Sequence, residues 1–264
     1  MTRLRLYQVD AFTSRRFAGN PAAVVPLDEW LDDGLLQAIA AENNLSETAF
    51  FVPGDPAYRL RWFTPTVEVQ LCGHATLASA FVLFTELEPG RTEVRFDTAS
   101  GELGVSRLDD GRLELLFPAW RLERVAPPDA LVEGLGVEPI EVLATPGRDY
   151  LFAVLESEAA VAALAPDLHA LAALHPAGVA ATAPSDRADI VCRYFAPSHG
   201  VGEDPGTGSI QCGLVPYWSA RLGKPAIRTL QLSRRGAELF GELRGDRTAI
   251  SGQVVKYLEG WIEV

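Results

Sequence analysis

Two stretches of this chain repeat one another, and the repeat restricts the fold more than any other feature. The first reads Arg61-Trp62-Phe63-Thr64-Pro65 and then, after a short loop, Gly73-His74-Ala75-Thr76 and an apolar run to Phe84. The second reads Arg193-Tyr194-Phe195-Ala196-Pro197, then Thr207-Gly208-Ser209-Ile210 and a run to Trp218. Each is a strand, a Pro-broken loop, a glycine and a helix. The echo continues downstream, where Ala99-Ser100-Gly101-Glu102-Leu103 is answered by Arg235-Gly236-Ala237-Glu238-Leu239. Phe63 and Gly101 are 38 residues apart, Phe195 and Gly236 41, and the excess of three lies in the longer second loop. A consistent offset argues for two homologous half-domains rather than chance. Many strands with one long apolar helix per half predict an α+β fold in which a curled mixed sheet wraps a central helix. The expected halves are residues 1–118 and 119–264, with the final strand able to pack back on the N-terminal half.

A glycine-headed helix presents bare N–H groups and a positive dipole end, which suits an anion. Two such starts would grip one small acid from both sides, in a cleft between the halves. The rest of the composition narrows the partners. A net charge of −12 over 264 residues argues against the basic stripe of a nucleic-acid surface. The only lysines are Lys224 and Lys256, away from both motifs, so a Schiff-base cofactor such as PLP is disfavoured. Cys72, Cys192 and Cys212 are too few and too scattered for a disulfide framework or a zinc knuckle, and no clustered His/Cys set argues for a metal. No apolar run reaches membrane-spanning length and the N-terminus lacks a signal-like segment, so a cytoplasmic protein is expected.

Periodicity places strands at residues 4–12, 22–25, 47–52, 59–63, 93–97, 102–108 and 112–117. A turn is expected at Gly19-Asn20-Pro21, a helix from Asp32-Asp33 to about Asn44, and a hairpin at Asp109-Asp110-Gly111. Residues 118–128 read as the crossover. In the second half, strands fit 140–144, 150–155, 179–182, 190–195, 227–233, 238–243 and 248–255. Helices fit 157–164, 167–174 and, from the second motif glycine, 208–222.

Few residues suit chemistry. Glu47 is the one carboxylate entering an otherwise apolar strand. A partly buried carboxylate pays to be charged, as a general acid/base near neutral pH requires. From position alone, a helix-end or strand-edge Glu facing water is the favoured reading. His74, in the first turn of its helix, is expected to stay neutral there and hydrogen-bond a ligand, or else to cap or pack. Cys72 beside the same helix start is expected to have a lowered pKa and act as a base, whereas Cys212 reads as a small core residue. Asp204 reads as a helix-start cap or as a second acid/base. The loop from Gly202 to Ser209 permits close backbone approach to a ligand, but its spacing is neither a Walker A loop nor a dinucleotide fingerprint.

With Asp10-Ala11-Phe12, Gly19-Asn20-Pro21, Asn44-Leu45-Ser46-Glu47-Thr48, Phe63-Thr64-Pro65, Cys72-Gly73-His74-Ala75-Thr76, Phe195-Ala196-Pro197 and Glu203-Asp204-Pro205-Gly206-Thr207-Gly208-Ser209, the chain resembles the phenazine-biosynthesis PhzF-like isomerases over nearly its whole length. The resemblance implies a two-domain diaminopimelate epimerase-like fold, no cofactor and a homodimer. It implies Glu47 as general acid/base and ligand contacts at Gly73, His74, Asp204, Gly208 and Ser209, with Thr207 in the same loop. Two departures stand out. Gln211 precedes Cys212 where many relatives carry a His, and Pro205 stands near the place of a second catalytic thiol, so a two-thiol racemase is incomplete. The expected activity is a cofactor-independent isomerase moving a proton between carbons of a small carboxylate-bearing metabolite. Its rivals are an epimerase using Cys72 and a non-catalytic small-acid binding protein.

Overall fold

The computed structural model describes residues 2–264, which divide into two compact units. One comprises residues up to Leu116 together with Ser251–Val264, the other Phe117–Ile250.

In the first unit the order is β1 (Arg3–Ala11), β2 (Asn20–Pro26), α1 (Asp33–Asn43), β3 (Glu47–Val52), β4 (Tyr58–Phe63), β5 (Glu68–Val69), α2 (Gly73–Val82), β6 (Glu93–Thr98), β7 (Gly101–Arg107) and β8 (Leu113–Pro118). A π-helical turn, Leu83–Leu87, extends α2. The C-terminal strand, Val254–Glu263, pairs antiparallel with β1. The expected last strand, 248–255, is therefore two, broken at Gln253. The longer one was missed because half of it faces water and it carries Gly260. The α1 helix begins where the sequence places it: the Asp32 carboxylate accepts the Gly34 N–H at 2.9 Å, and Asn44 ends the helix in the left-handed region, φ 48°. Leu36, Ile39 and Ala40 bury its inner face against Val25, Phe50 and Phe63.

The helix α2 runs on the other side of this sheet against β1, β2 and β3. Nearly every residue of α2 is buried, which small side chains permit. The hydroxyls among them are satisfied within the helix: Thr76 Oγ1 donates to the Cys72 carbonyl at 2.6 Å and Ser79 Oγ to that of Ala75 at 2.8 Å.

The second unit contains β9 (Glu123–Val125), α3 (Asp129–Leu135), β10 (Glu141–Ala144), β11 (Tyr150–Val154), α4 (Glu158–Ala162), α5 (Leu168–Ala172), β12 (Gly178–Pro184), β13 (Ile190–Phe195), α6 (Gln211–Leu222), β14 (Ala226–Gln231), β15 (Ala237–Arg244) and β16 (Arg247–Gly252). The expected crossover thus holds a short strand, and α3 follows it directly. Short helices α3 to α5 cover one sheet face through Leu131, Leu135, Val161 and Leu171. On α6, Gly213 lies so close to Phe152 that an added Cβ would stand 2.9 Å from the ring. Pro216 inside α6 cannot donate to the Cys212 carbonyl one turn back. That carbonyl instead accepts the Trp120 N–H at 2.8 Å.

The duplication is written in the strand ladders. In the first unit β2–β3 is parallel, β3–β4 antiparallel, β4–β6 parallel and β6–β7 antiparallel. In the second β11–β12, β12–β13, β13–β14 and β14–β15 follow the same alternation. The repeated arginines also share one job. Arg61 grips both carboxylate oxygens of Glu68 at 2.7 Å and lies over the Phe63 ring at 5.1 Å. Arg193 grips Glu203 at 2.7 and 3.0 Å and lies over Phe195 at 5.0 Å. Each ties its strand to the loop that leads toward its motif glycine.

Glu141 anchors the second unit electrostatically. Its carboxylate is buried and accepts from Arg124 at 2.6 and 2.9 Å, from the Tyr217 hydroxyl at 2.7 Å, and from Arg221. Burial opposes its ionisation, but Tyr217 and the two guanidiniums outweigh that and hold its pKa below the ordinary 4.5. A lowered folded-state pKa contributes stability above pH 4.5 that is lost as pH falls through the folded value. Since Arg124 and Arg221 are 74% and 47% exposed, much of their charge is screened. Glu141→Gln should therefore cost about 2 kcal/mol at pH 7. The variant's urea midpoint should also depend less on pH than the parent's below pH 4.5. Equal midpoints at pH 7 would refute this. Among the described residues no helix is long and apolar enough to cross a membrane.

Candidate active site

The chemistry-bearing residues of the first unit converge where β2 and β3 begin and α2 starts. After α1, Asn43 Nδ2 donates to Thr48 Oγ1 at 3.1 Å, and the link through Asn44 delivers Glu47 as the first residue of β3. Parallel pairing sets Glu47 beside Ala22, two residues along the strand from Asn20 at the start of β2. Cys72, Gly73 and His74 form the start of α2, with Cys72 in the N-cap position and no side-chain cap on the helix.

These elements bring Glu47, Cys72 and His74 together. His74 Nε2 lies 3.1 Å from Glu47 Oε2, and both atoms are buried. The contact is at ion-pair distance but is not aligned as a hydrogen bond, so charge rather than a directed N–H carries it. On the other side of the imidazole, Nδ1 lies 3.5 Å from Cys72 Sγ and 3.3 Å from Asn20 Nδ2. Asn20 is the neighbour that sequence reasoning missed. It stands in the Gly19-Asn20-Pro21 segment, which reads simply as a turn, and only strand pairing turns its amide toward His74.

Two electrostatic expectations are reversed. His74 was expected to be neutral at a helix start. Burial does oppose its charge, but the Cys72 sulfur and the Glu47 carboxylate outweigh burial and raise its pKa well above the ordinary 6.5. Cys72 was expected to be acidified. Burial instead pushes its thiol up from 9.0, the Glu47 charge adds to this, and the His74 contact only partly offsets it. Glu47 keeps 19% of its side-chain exposure while its Oε2 is out of solvent, so it is not a strand-edge Glu directed at water.

In the second unit, Asp204, Thr207, Gly208 and Ser209 form one loop, but α6 starts at Gln211, three residues after Gly208. The intervening turn is tighter than an α-helix: Gln211 N–H bonds the Gly208 carbonyl at 3.0 Å and Cys212 N–H that of Ser209 at 3.1 Å. The N-cap is Ile210, again without a side-chain cap, so Asp204 does not cap this helix. Its carboxylate accepts the Thr207 hydroxyl. Gln231 pins the loop from beneath: its Oε1 accepts the Thr207 N–H at 2.7 Å, and its Nε2 donates to the Asp204 carbonyl at 2.7 Å and to Thr207 Oγ1 at 3.0 Å. Ser209 Oγ accepts from the Tyr150 hydroxyl at 3.3 Å, and Tyr150 stacks on Tyr194 and packs at a tilt against Trp120. Gln211 is fully buried and accepts the Thr229 hydroxyl at 3.0 Å, so its amide is engaged in the core. Cys212 is also buried, and burial pushes its thiol up to about 12.

The chain matches the model of the PhzC-PhzF family, phenazine biosynthesis-like proteins, over residues 9–260. An uncharacterized isomerase of Pseudomonas aeruginosa is 53% identical over 261 residues, covering 99% of each chain. A phenazine biosynthesis protein of the PhzF family from Enterococcus faecalis superposes with a TM-score of 0.95 at 40% identity, covering 100% of both chains. A predicted epimerase of P. aeruginosa superposes with a TM-score of 0.73 at 26% identity, covering 99% of each. An isomerase is thus the class of enzyme that the relatives and the fold define. The chain belongs to the phenazine biosynthesis-like PhzC-PhzF family.

Proposed function

We propose that this protein is a cofactor-independent isomerase that moves a proton between carbons of a small carboxylate-bearing substrate, with Glu47 as the general acid/base. The observation that supports this best is the Glu47 Oε2 held out of solvent 3.1 Å from His74 Nε2, at the uncapped start of α2. Glu47 takes the proton from a carbon next to the carboxylate or its conjugated system and returns it to another. The electron pair left behind delocalises toward the carboxylate as enolate-like charge. The free N–H groups around Gly73 and His74, and the cationic form that His74 favours, stabilise that charge. Asp204, Thr207, Gly208 and Ser209 are proposed as further substrate contacts, since their helix start is also uncapped.

The epimerase reading would make Cys72 the second acid/base. A buried thiol with a raised pKa is a poor base near neutral pH, and Pro205 stands near the sequence position where a second catalytic thiol would be wanted. The test is incorporation of solvent deuterium into carbon positions of candidate small carboxylic acids, followed by NMR. The parent protein is expected to label a substrate, and Cys72→Ala to label it at a rate within a factor of about 3 of the parent, because no transferred proton passes through sulfur. A loss of about 100-fold or more in Cys72→Ala would replace this reading with the epimerase one. Tight binding of an acid that is never labelled would favour a non-catalytic binding protein.

A further inference from the structure

Glu47, Cys72 and His74 also form a set of metal donors. One donor atom from each lies within 4.8 Å of the other two. Thiolate, imidazole and carboxylate in one place are the donor types that select zinc, and three protein donors leave the fourth tetrahedral position open. The Nε2–Oε2 separation of 3.1 Å is close to the about 3.3 Å between two ligands on a tetrahedral zinc at about 2.0–2.1 Å. At hydrogen-bond distance the two atoms are nevertheless not aligned as one, and both are buried, so neither is committed to a directed bond. Cys72 Sγ lies 3.5 Å from Nδ1, so its side chain must rotate toward the Glu47 side of the ring to reach a Zn–S length of about 2.3 Å. The part of Glu47 still open to solvent provides an entry path.

We propose that Glu47, Cys72 and His74 bind one Zn²⁺ per chain and that the bound ion inhibits the enzyme by occupying the carboxylate that moves the proton. The metal displaces the thiol proton to solvent, so the step is a ligand exchange with no redox change. The inhibitory consequence rests on the role proposed for Glu47, whereas the binding does not.

The test is calorimetric titration of chelator-treated protein with ZnCl₂, with Co²⁺ as a spectroscopic probe. The parent is expected to bind one ion with micromolar or tighter affinity. Its Co²⁺ form should show a thiolate-to-cobalt charge-transfer band in the near ultraviolet. Cys72→Ser should lose the band and bind at least tenfold more weakly, and His74→Gln should also weaken binding at least tenfold. If the serine variant fails to fold, Cys72→Ala serves in its place, and the cobalt band of the parent is decisive alone. No saturable site in the parent, no thiolate band, or unchanged affinity in Cys72→Ser would overturn the proposal. Deuterium exchange measured with excess chelator tests Glu47 without zinc, so the two readings can fail separately.

Discussion

Glu47→Gln is expected to lower the rate of solvent-deuterium incorporation into substrate by about 10²–10⁴-fold, the usual contribution of one positioned acid/base. Glutamine keeps the length and planarity of the side chain, so the start of β3 and its pairing with Ala22 should persist. What it removes is basicity and the negative charge facing His74. KM for the carboxylate should therefore change much less than kcat, because the helix-start N–H groups proposed to bind the anion are untouched. Glu47→Asp is the informative companion: it restores a base but withdraws it by about 1.5 Å, roughly one bond length, and should recover only part of the rate. Exchange in Glu47→Gln as fast as in the parent would remove Glu47 from the mechanism and direct attention to Cys72.

Phe152→Ala is expected to cost about 3–5 kcal/mol in the second unit, the range for truncating a fully buried aromatic side chain. The ring is sealed from solvent on β11, and the backbone of α6 approaches it at Gly213. Truncation leaves a void under the helix whose preceding turn carries Gly208 and Ser209. Amide hydrogen exchange of a peptide spanning α6 should rise accordingly, while a peptide spanning α2 keeps its protection. Phe152→Leu refills most of the volume and should recover most of the loss. Unchanged protection of α6 in the alanine variant would show that the helix draws its stability elsewhere.

Much of this fold was legible because its signals are local. Strand β13 runs from Ile190 to Phe195 as its β-branched and aromatic residues predict, and α1 is bounded by Asp32 and Asn44 as capping chemistry requires. The repeat showed that the same architecture occurs twice. What stayed hidden depends on tertiary context. The start of α6 moved from Gly208 to Gln211 because the Gly-Thr-Gly-Ser run takes up a tighter turn first. Helix α3 was overlooked because its seven residues, with a glycine among them and another just after, carry little periodicity. At the candidate site, sequence placed Cys72 and His74 at a helix start and inferred their protonation from the dipole alone. Burial and the arrival of Glu47 from a strand 25 residues earlier reverse both inferences. Asn20 depends on the same long-range pairing and has no local signature.

The arginine–glutamate ties explain how the two copies have drifted in length while keeping their motifs in register. Glu68 and Gly73 are five residues apart, and so are Glu203 and Gly208. Arg61 and Glu68 are seven apart, but Arg193 and Glu203 are ten. All three extra residues of the second copy therefore lie inside the segment that the ion pair closes. An insertion there lengthens a tethered bulge and leaves the number of residues from tie to glycine unchanged. Through such ties a duplicated gene could diversify the rim of each half while inheriting the placement of its reactive groups intact.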